Sequence, residues 1–231
     1  MMNFNFNVSE LIFILPELFL LSAISFILLF DLFVSEKYKK YSYHLSQLAL
    51  IITGFLAFNL IGESATIFSG TFVLDNLGST FKVFVLGFSV IALVYSRQYL
   101  IVHELLRNEY FILALMSILG MMVMISGHSL LTLYLGLEIM SLSLYALIAT
   151  ARDRAFAIEA ALKYFVLGAI ASGLLLYGMS MIYGITGGLD IAQISNFASS
   201  STLESQETLI LNFGLVFLVI GADFKLGAVP F

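Results

Sequence analysis

Cysteine is absent from the 231 residues, which excludes disulfides, thiolate zinc sites and cysteine-held iron–sulfur clusters. Charge is scarce: 11% of residues are Asp, Glu, Lys or Arg, where a soluble domain carries about a quarter. Proline occurs only at positions 16 and 230. No Gly-x-Gly-x-x-Gly follows a strand, no Walker-type loop is present, and no nucleophile–base pair stands at a recognisable spacing. Flavin, nicotinamide or metal binding by this chain is therefore not expected. The net charge of −5 gives no reason to expect a nucleic-acid partner. His44, His103 and His128 fall at loops or run ends, which argues against a bis-histidine haem.

What remains is apolar. Hydrophobic residues make up 61% of the chain and mean hydropathy is +1.04, which rules out a water-soluble globule. Since about 20 apolar residues span a bilayer, the partner first implied is lipid. Apolar runs cover 11–34, 45–61, 77–96, 110–126, 130–149, 155–183 and 209–231. They are too long and too uniform for barrel strands, and helices are the open-chain way to satisfy backbone groups in lipid. The expected fold is an all-α, polytopic membrane bundle of about seven transmembrane helices. The first run has Glu10 and Glu17 but no preceding basic segment and no small-residue cleavage site, so it reads as a retained helix, with Pro16 tolerated in its first turn. Within the long connection at 184–208, residues 189–194 are expected to form a short surface helix. No internal repeat is visible.

The basic residues set the orientation. Lys37, Lys39 and Lys40 fall in the first connection, Arg97 and Arg107 in the third, Arg152 and Arg154 in the fifth, and none in the second, fourth or sixth. The odd connections are thus expected on the cytoplasmic side and the N-terminus outside. Lys82, near an outer helix end, is expected to snorkel to the interface.

Three ionisable residues lie deeper, where a charge costs roughly 2.5–3.5 kcal/mol on insertion scales. Glu138 lies about 12 Å below the outer surface, counting 1.5 Å per residue. With Tyr134, Ser141 and Tyr145 it forms a polar stripe at i, i+4, i+7 and i+11, which must face a bundle interior or a wet cavity. The competing reading is a hydrogen-bonded carboxylate that only holds helices together. Lys163 follows Glu159 by four residues, in the favourable order for an ion pair. Gly168, Ala169, Ala171, Ser172 and Gly173 follow on the same run, small residues that let helices approach. Lys225 stands in a span interrupted by Gly221, Gly227 and Pro230, as in discontinuous transporter helices. Lysine suits a relay because desolvation and like charge push its pKa down and a facing carboxylate pushes it up. Depths of about 12, 20 and 24 Å stagger Glu138, Lys163 and Lys225, so bridging waters are expected between them.

At these residues the sequence resembles a known family. Leu133-Tyr134-Leu135-Gly136-Leu137-Glu138-Ile139-Met140-Ser141-Leu142, Glu159-Ala160-Ala161-Leu162-Lys163-Tyr164 and Phe224-Lys225-Leu226-Gly227-Ala228-Val229-Pro230-Phe231 look like subunit N of proton-pumping NADH:quinone oxidoreductase, respiratory complex I. The resemblance is strong over 109–183 and 212–231; the first hundred residues match in layout only. It implies the first half of a fourteen-helix antiporter-like fold, with three helices over 1–108 and the first repeat, helices 4–7, over 109–231. It also implies a broken helix 7 and a proton relay through Glu138, Lys163 and Lys225. Tyr134, Ser141, Tyr145 and Glu159 would support that relay, and Gly221, Gly227 and Pro230 would interrupt the helix. NADH, FMN, iron–sulfur clusters and quinone would be used by partner subunits of the membrane and redox arms, with no cofactor in this chain. The implied location is a bacterial inner membrane, ahead of a mitochondrial one. Helix 8 and the second repeat lie beyond residue 231, so a fragment of the subunit is expected. Asp223 stands where the family has an apolar residue, and at two positions from Lys225 it points to the opposite face. A multi-subunit cation/proton antiporter component is the alternative, and a non-conducting scaffold the third reading.

Overall fold

The computed structural model describes residues 8–33, 41–199 and 205–228. A 3₁₀ segment, Val8–Ile14, leads into α1, Leu15–Phe33. Then come α2, Tyr41–Asn59, and two three-residue strands, β1, Ala65–Ile67, and β2, Phe72–Leu74. The rest is helical: α3, Asn76–Val102; α4, Asn108–Ser126; α5, Leu130–Ile148; α6, Ala155–Thr186; α7, Ile191–Ala198; and α8, Ser205–Leu226. Lys37, Lys39, Lys40 and Pro230 lie outside the described residues.

Among the described residues, six helices are long and apolar enough to cross a membrane, by length and composition. The seventh run expected from the sequence is α2, which has the length but opens with Tyr41, Ser42, Tyr43, His44, Ser46 and Gln47. Helix starts follow local chemistry. Asp75 accepts from the Gly78 N–H, Ser129 from Thr132 and Asp190 from Ala192 and Gln193, so α3, α5 and α7 begin where a side chain satisfies free backbone donors. The surface helix lies at 191–198 instead of 189–194, because Asp190 acts as its cap.

The connection at 62–76 is not a plain loop. Ala65, Thr66 and Ile67 pair antiparallel with Leu74, Val73 and Phe72 across a turn in which Phe68, Ser69 and Gly70 all have positive φ. Phe72 bridges to Gly127 in the α4–α5 turn, and Ser129 to Asp190 before α7. The His128 N–H donates to the Thr71 carbonyl (3.0 Å) and the Leu130 N–H to that of Leu189 (2.9 Å). The second, fourth and sixth connections thus share one end of the bundle. At the opposite end Arg107 pairs with Asp153 (2.5 Å), Arg152 with Glu109 (3.5 Å), and Arg154 donates to the His103 carbonyl.

The dry core lies among α1–α4, where Leu20, Leu50, Leu86, Leu115 and Met122 are wholly buried. Elsewhere glycines set the spacing. A Cβ on Gly120 would meet the Gly136 carbonyl oxygen and the Met140 nitrogen, both at 2.6 Å, which binds α4 to α5. Between α6 and α8, Gly178 and Gly221 approach the backbone carbonyls of Gly214 and Ala171 in the same way. Small residues that let backbones meet are the usual device where lipid supplies no hydrophobic drive.

Candidate functional site

Three helices converge on one buried polar cluster. From α5 come Glu138 and Tyr145, seven residues apart and so on one face. The last turn of α8 supplies Lys225. Its ammonium lies 3.2 Å from Glu138 Oε1 and 3.1 Å from the Tyr145 hydroxyl, with the lysine side chain 5% exposed and the glutamate 18%. From α6, the Ser172 hydroxyl donates to the same Glu138 oxygen. The Lys225 ammonium also lies 5.5 Å from the centre of the Tyr145 ring, which is packed edge-on against Tyr164.

Lys225 is placed by backbone geometry. The Gly227 N–H returns to the Phe224 carbonyl and the Ala228 N–H to that of Asp223, a Schellman ending with Gly227 left-handed at φ 70°. The helix therefore ends at Leu226, one residue after Lys225. Gly221 does not interrupt it: it is buried inside a continuous α8, where its missing side chain admits Leu175 and the Ala171 carbonyl. Gly168 has a matching task on α6, since a Cβ there would collide with the Tyr145 hydroxyl.

Glu138 and Lys225 touch directly, without the intervening waters that their counted depths called for. Those depths count α5 and α8 each from its own first apolar residue, as if the two began at one level; the contact shows that they do not. Lys163 is not in the cluster. It pairs with Glu159 at 2.6 Å on an exposed face of α6, with side chains 70% and 61% accessible. Ser141 is buried and Tyr134 half-buried on the α5 stripe; neither is among the hydrogen-bond partners of Glu138 or Lys225 described above. The Asp223 carbonyl accepts from the Ala228 N–H in the α8 ending.

Sequence reasoning missed the roles of Ser172 and Gly168. Both stand in the small-residue run of α6, and their i, i+4 spacing puts them on the face turned to α5. It also misplaced Lys82, which does not snorkel: it is 1% exposed and paired with Glu17. Among the described residues no group of three His, Cys, Asp or Glu side chains is placed to hold a metal.

Chemically, the cluster is a carboxylate and an ammonium within proton-transfer distance, flanked by two hydroxyls. Residues 127–231, which contain all of it, match the family model described as NADH:quinone oxidoreductase/Mrp antiporter, transmembrane. NADH-quinone oxidoreductase subunit N of Ruthia magnifica is 67% identical over 98% of this chain and 47% of its own length. The Thioalkalivibrio sulfidiphilus subunit N is 47% identical, over 98% and 47%. Over nearly its whole length the chain is similar to subunit N sequences. It spans about half the length of these relatives. The backbone resembles a chain of respiratory complex I from Thermus thermophilus, with a TM-score of 0.72 at 25% identity over 94% of this chain and 45% of that one. It also resembles a chain of an archaeal membrane-bound sulfane sulfur reductase, with a TM-score of 0.74 at 21% identity over 91% and 44%, which bears on fold alone.

Proposed function

We propose that the chain serves in the membrane arm of a proton-translocating NADH:quinone oxidoreductase. Electrons pass from NADH to quinone on other subunits, through FMN and iron–sulfur clusters. In this reading the chain holds and hands on protons through Glu138 and Lys225. Supporting it is the buried ion pair itself, placed within the region that matches the family model. A charge pair is expensive to keep at that depth and is, by default, a sign of ion or proton traffic. In the ionic state the proton rests on Lys225; transfer along the 3.2 Å contact to Glu138 neutralises both groups. Tyr145 and Ser172 keep hydroxyls on either side of the exchange. Lys163, exposed beside Glu159, would act as a more distant station, approached along α6. The partners are the other membrane-arm subunits and the bilayer. The location is a bacterial inner membrane with the Arg-bearing end inward and the N-terminus outside.

A second reading, a component of a multi-subunit cation/proton antiporter, draws on the family model, whose description covers both kinds of protein. Purification with flavin and iron–sulfur subunits favours the first; sodium/proton exchange without NADH favours the second.

The deciding experiment uses membrane vesicles carrying the intact enzyme with Glu138→Ala in this subunit, its assembly checked on a native gel. NADH oxidation and NADH-driven proton uptake are recorded together. Several-fold loss of both at normal assembly is expected. Both rates at wild-type level would reduce Glu138 to a structural carboxylate.

A further inference from the structure

A second buried charge pair lies at the hairpin end, away from Glu138. Glu17, in the first turn of α1, and Lys82, in the second turn of α3, meet with Nζ and Oε1 2.5 Å apart and side chains 6% and 2% exposed. Among the described residues, no third side chain hydrogen-bonds the Glu17 carboxylate or the Lys82 ammonium; the pair faces itself. The Lys82 ammonium lies 5.0 Å from the centre of the Phe72 ring on β2. One turn before Lys82, on the same face, the Ser79 hydroxyl is buried without a partner among the described residues.

We propose that Glu17 and Lys82 form a second proton-binding site of this subunit, an inference that rests on the proton-translocating reading above. The composition repeats that of the Glu138 cluster. Each has a glutamate, a lysine from a distant helix, an aromatic ring by the ammonium and a serine on the lysine-bearing helix or its neighbour: Glu17, Lys82, Phe72 and Ser79 against Glu138, Lys225, Tyr145 and Ser172. A carboxylate that accepts two or three N–H bonds is locked in its ionised form; among the described residues, Glu17 is faced by one cation, Lys82, and by no other side-chain donor. Burying two charges is unfavourable unless further hydrogen bonds compensate, and no third side chain adds one. A proton arriving from the hairpin end adds to Glu17, giving a neutral acid beside the Lys82 ammonium, which keeps the Phe72 face. Its departure restores the ion pair.

The elements packed around the pair leave it to itself. Asp75 is engaged with the Gly78 N–H at the start of α3. Asp31 and His44 stand at the far ends of α1 and α2, and α4 turns no charged side chain to the core that it shares with α1–α3. Glu10, Glu63, Asp190 and His128 also stand at that end; Asp190 is engaged with the Ala192 and Gln193 N–H groups, and the ion pair of Lys82 is with Glu17.

The test uses vesicles of the intact enzyme carrying Glu17→Gln, or Glu17→Leu with Lys82→Met, since apolar replacement of a whole buried pair is often tolerated. Protons taken up per NADH oxidised are measured, with assembly checked on a native gel. A lower ratio in a variant that assembles is the expected result; the wild-type ratio would overturn the proposal and leave the pair structural. If neither assembles, Glu17→Asp decides, because it keeps the pair. A shifted pH profile of uptake then supports proton binding, and an unchanged profile overturns it. Glu138→Ala in the same vesicles judges the main reading separately, so failure of one is not mistaken for failure of the other.

Discussion

At the scale of single residues, the cluster depends on a space left empty in α6. The Tyr145 hydroxyl that accepts from Lys225 occupies the room where a side chain at 168 would be. Gly168→Ala is expected to push that hydroxyl off the ammonium, at an overpacking cost of about 1–3 kcal/mol. Proton uptake should fall about as far as in Tyr145→Phe, with the complex still assembled; uptake matching the wild type would show that the ring gives way without moving its hydroxyl. Glu138 and Lys225 were legible as sites because a charge in an apolar run has few benign explanations. That they touch was not legible, since the level at which each helix sits is set by packing and not by residue count. Lys82 was misread for the opposite reason. It lies near a helix end, where an isolated charge ordinarily reaches water, and nothing in spacing shows that Glu17 and the hairpin close over it.

Elements meet where backbones are bare. The Gly120–Gly136 contact leaves no room for a side chain, so Gly120→Val must part α4 from α5. A loss of about 1–3 kcal/mol is expected, read as a lower melting temperature of the purified protein in detergent. Gly173→Ala is the matched control, as its added Cβ meets nothing within 4 Å. It should be neutral or stabilising by about 0.5–1 kcal/mol, from the entropy that glycine forfeits in a helix. The apolar runs announced the helices, apart from the ends of α3 and α6, which run on through polar residues after their cores. β1 and β2 could not be read this way: three residues are too few for alternation to register. Their turn holds Phe68 and Ser69 at positive φ, a conformation that neither residue type announces.

Across the whole molecule, the hairpin, the α4–α5 turn and the approach to α7 are joined by backbone bonds. Because the chain has no cysteine, this junction can be probed with a single introduced pair. Ser129→Cys with Asp190→Cys places two thiols at bridged antiparallel positions, within the usual Cα separation of a disulfide. Oxidation is expected to protect both from a bulky maleimide; continued labelling would mean that the two connections do not adjoin in the membrane.

The two ends of this bundle are fastened by different forces. One is held by main-chain hydrogen bonds among three connections. The other carries the exposed pairs Arg107–Asp153 and Arg152–Glu109 beside the Arg154 bond to the His103 carbonyl. Exposed pairs are worth about 0–1 kcal/mol and fade once the Debye length drops to about 3 Å at 1 M salt, while main-chain bonds scarcely respond. Ionic strength thus acts unevenly across the molecule: salt weakens the fastenings of the arginine end and leaves those of the hairpin end latched.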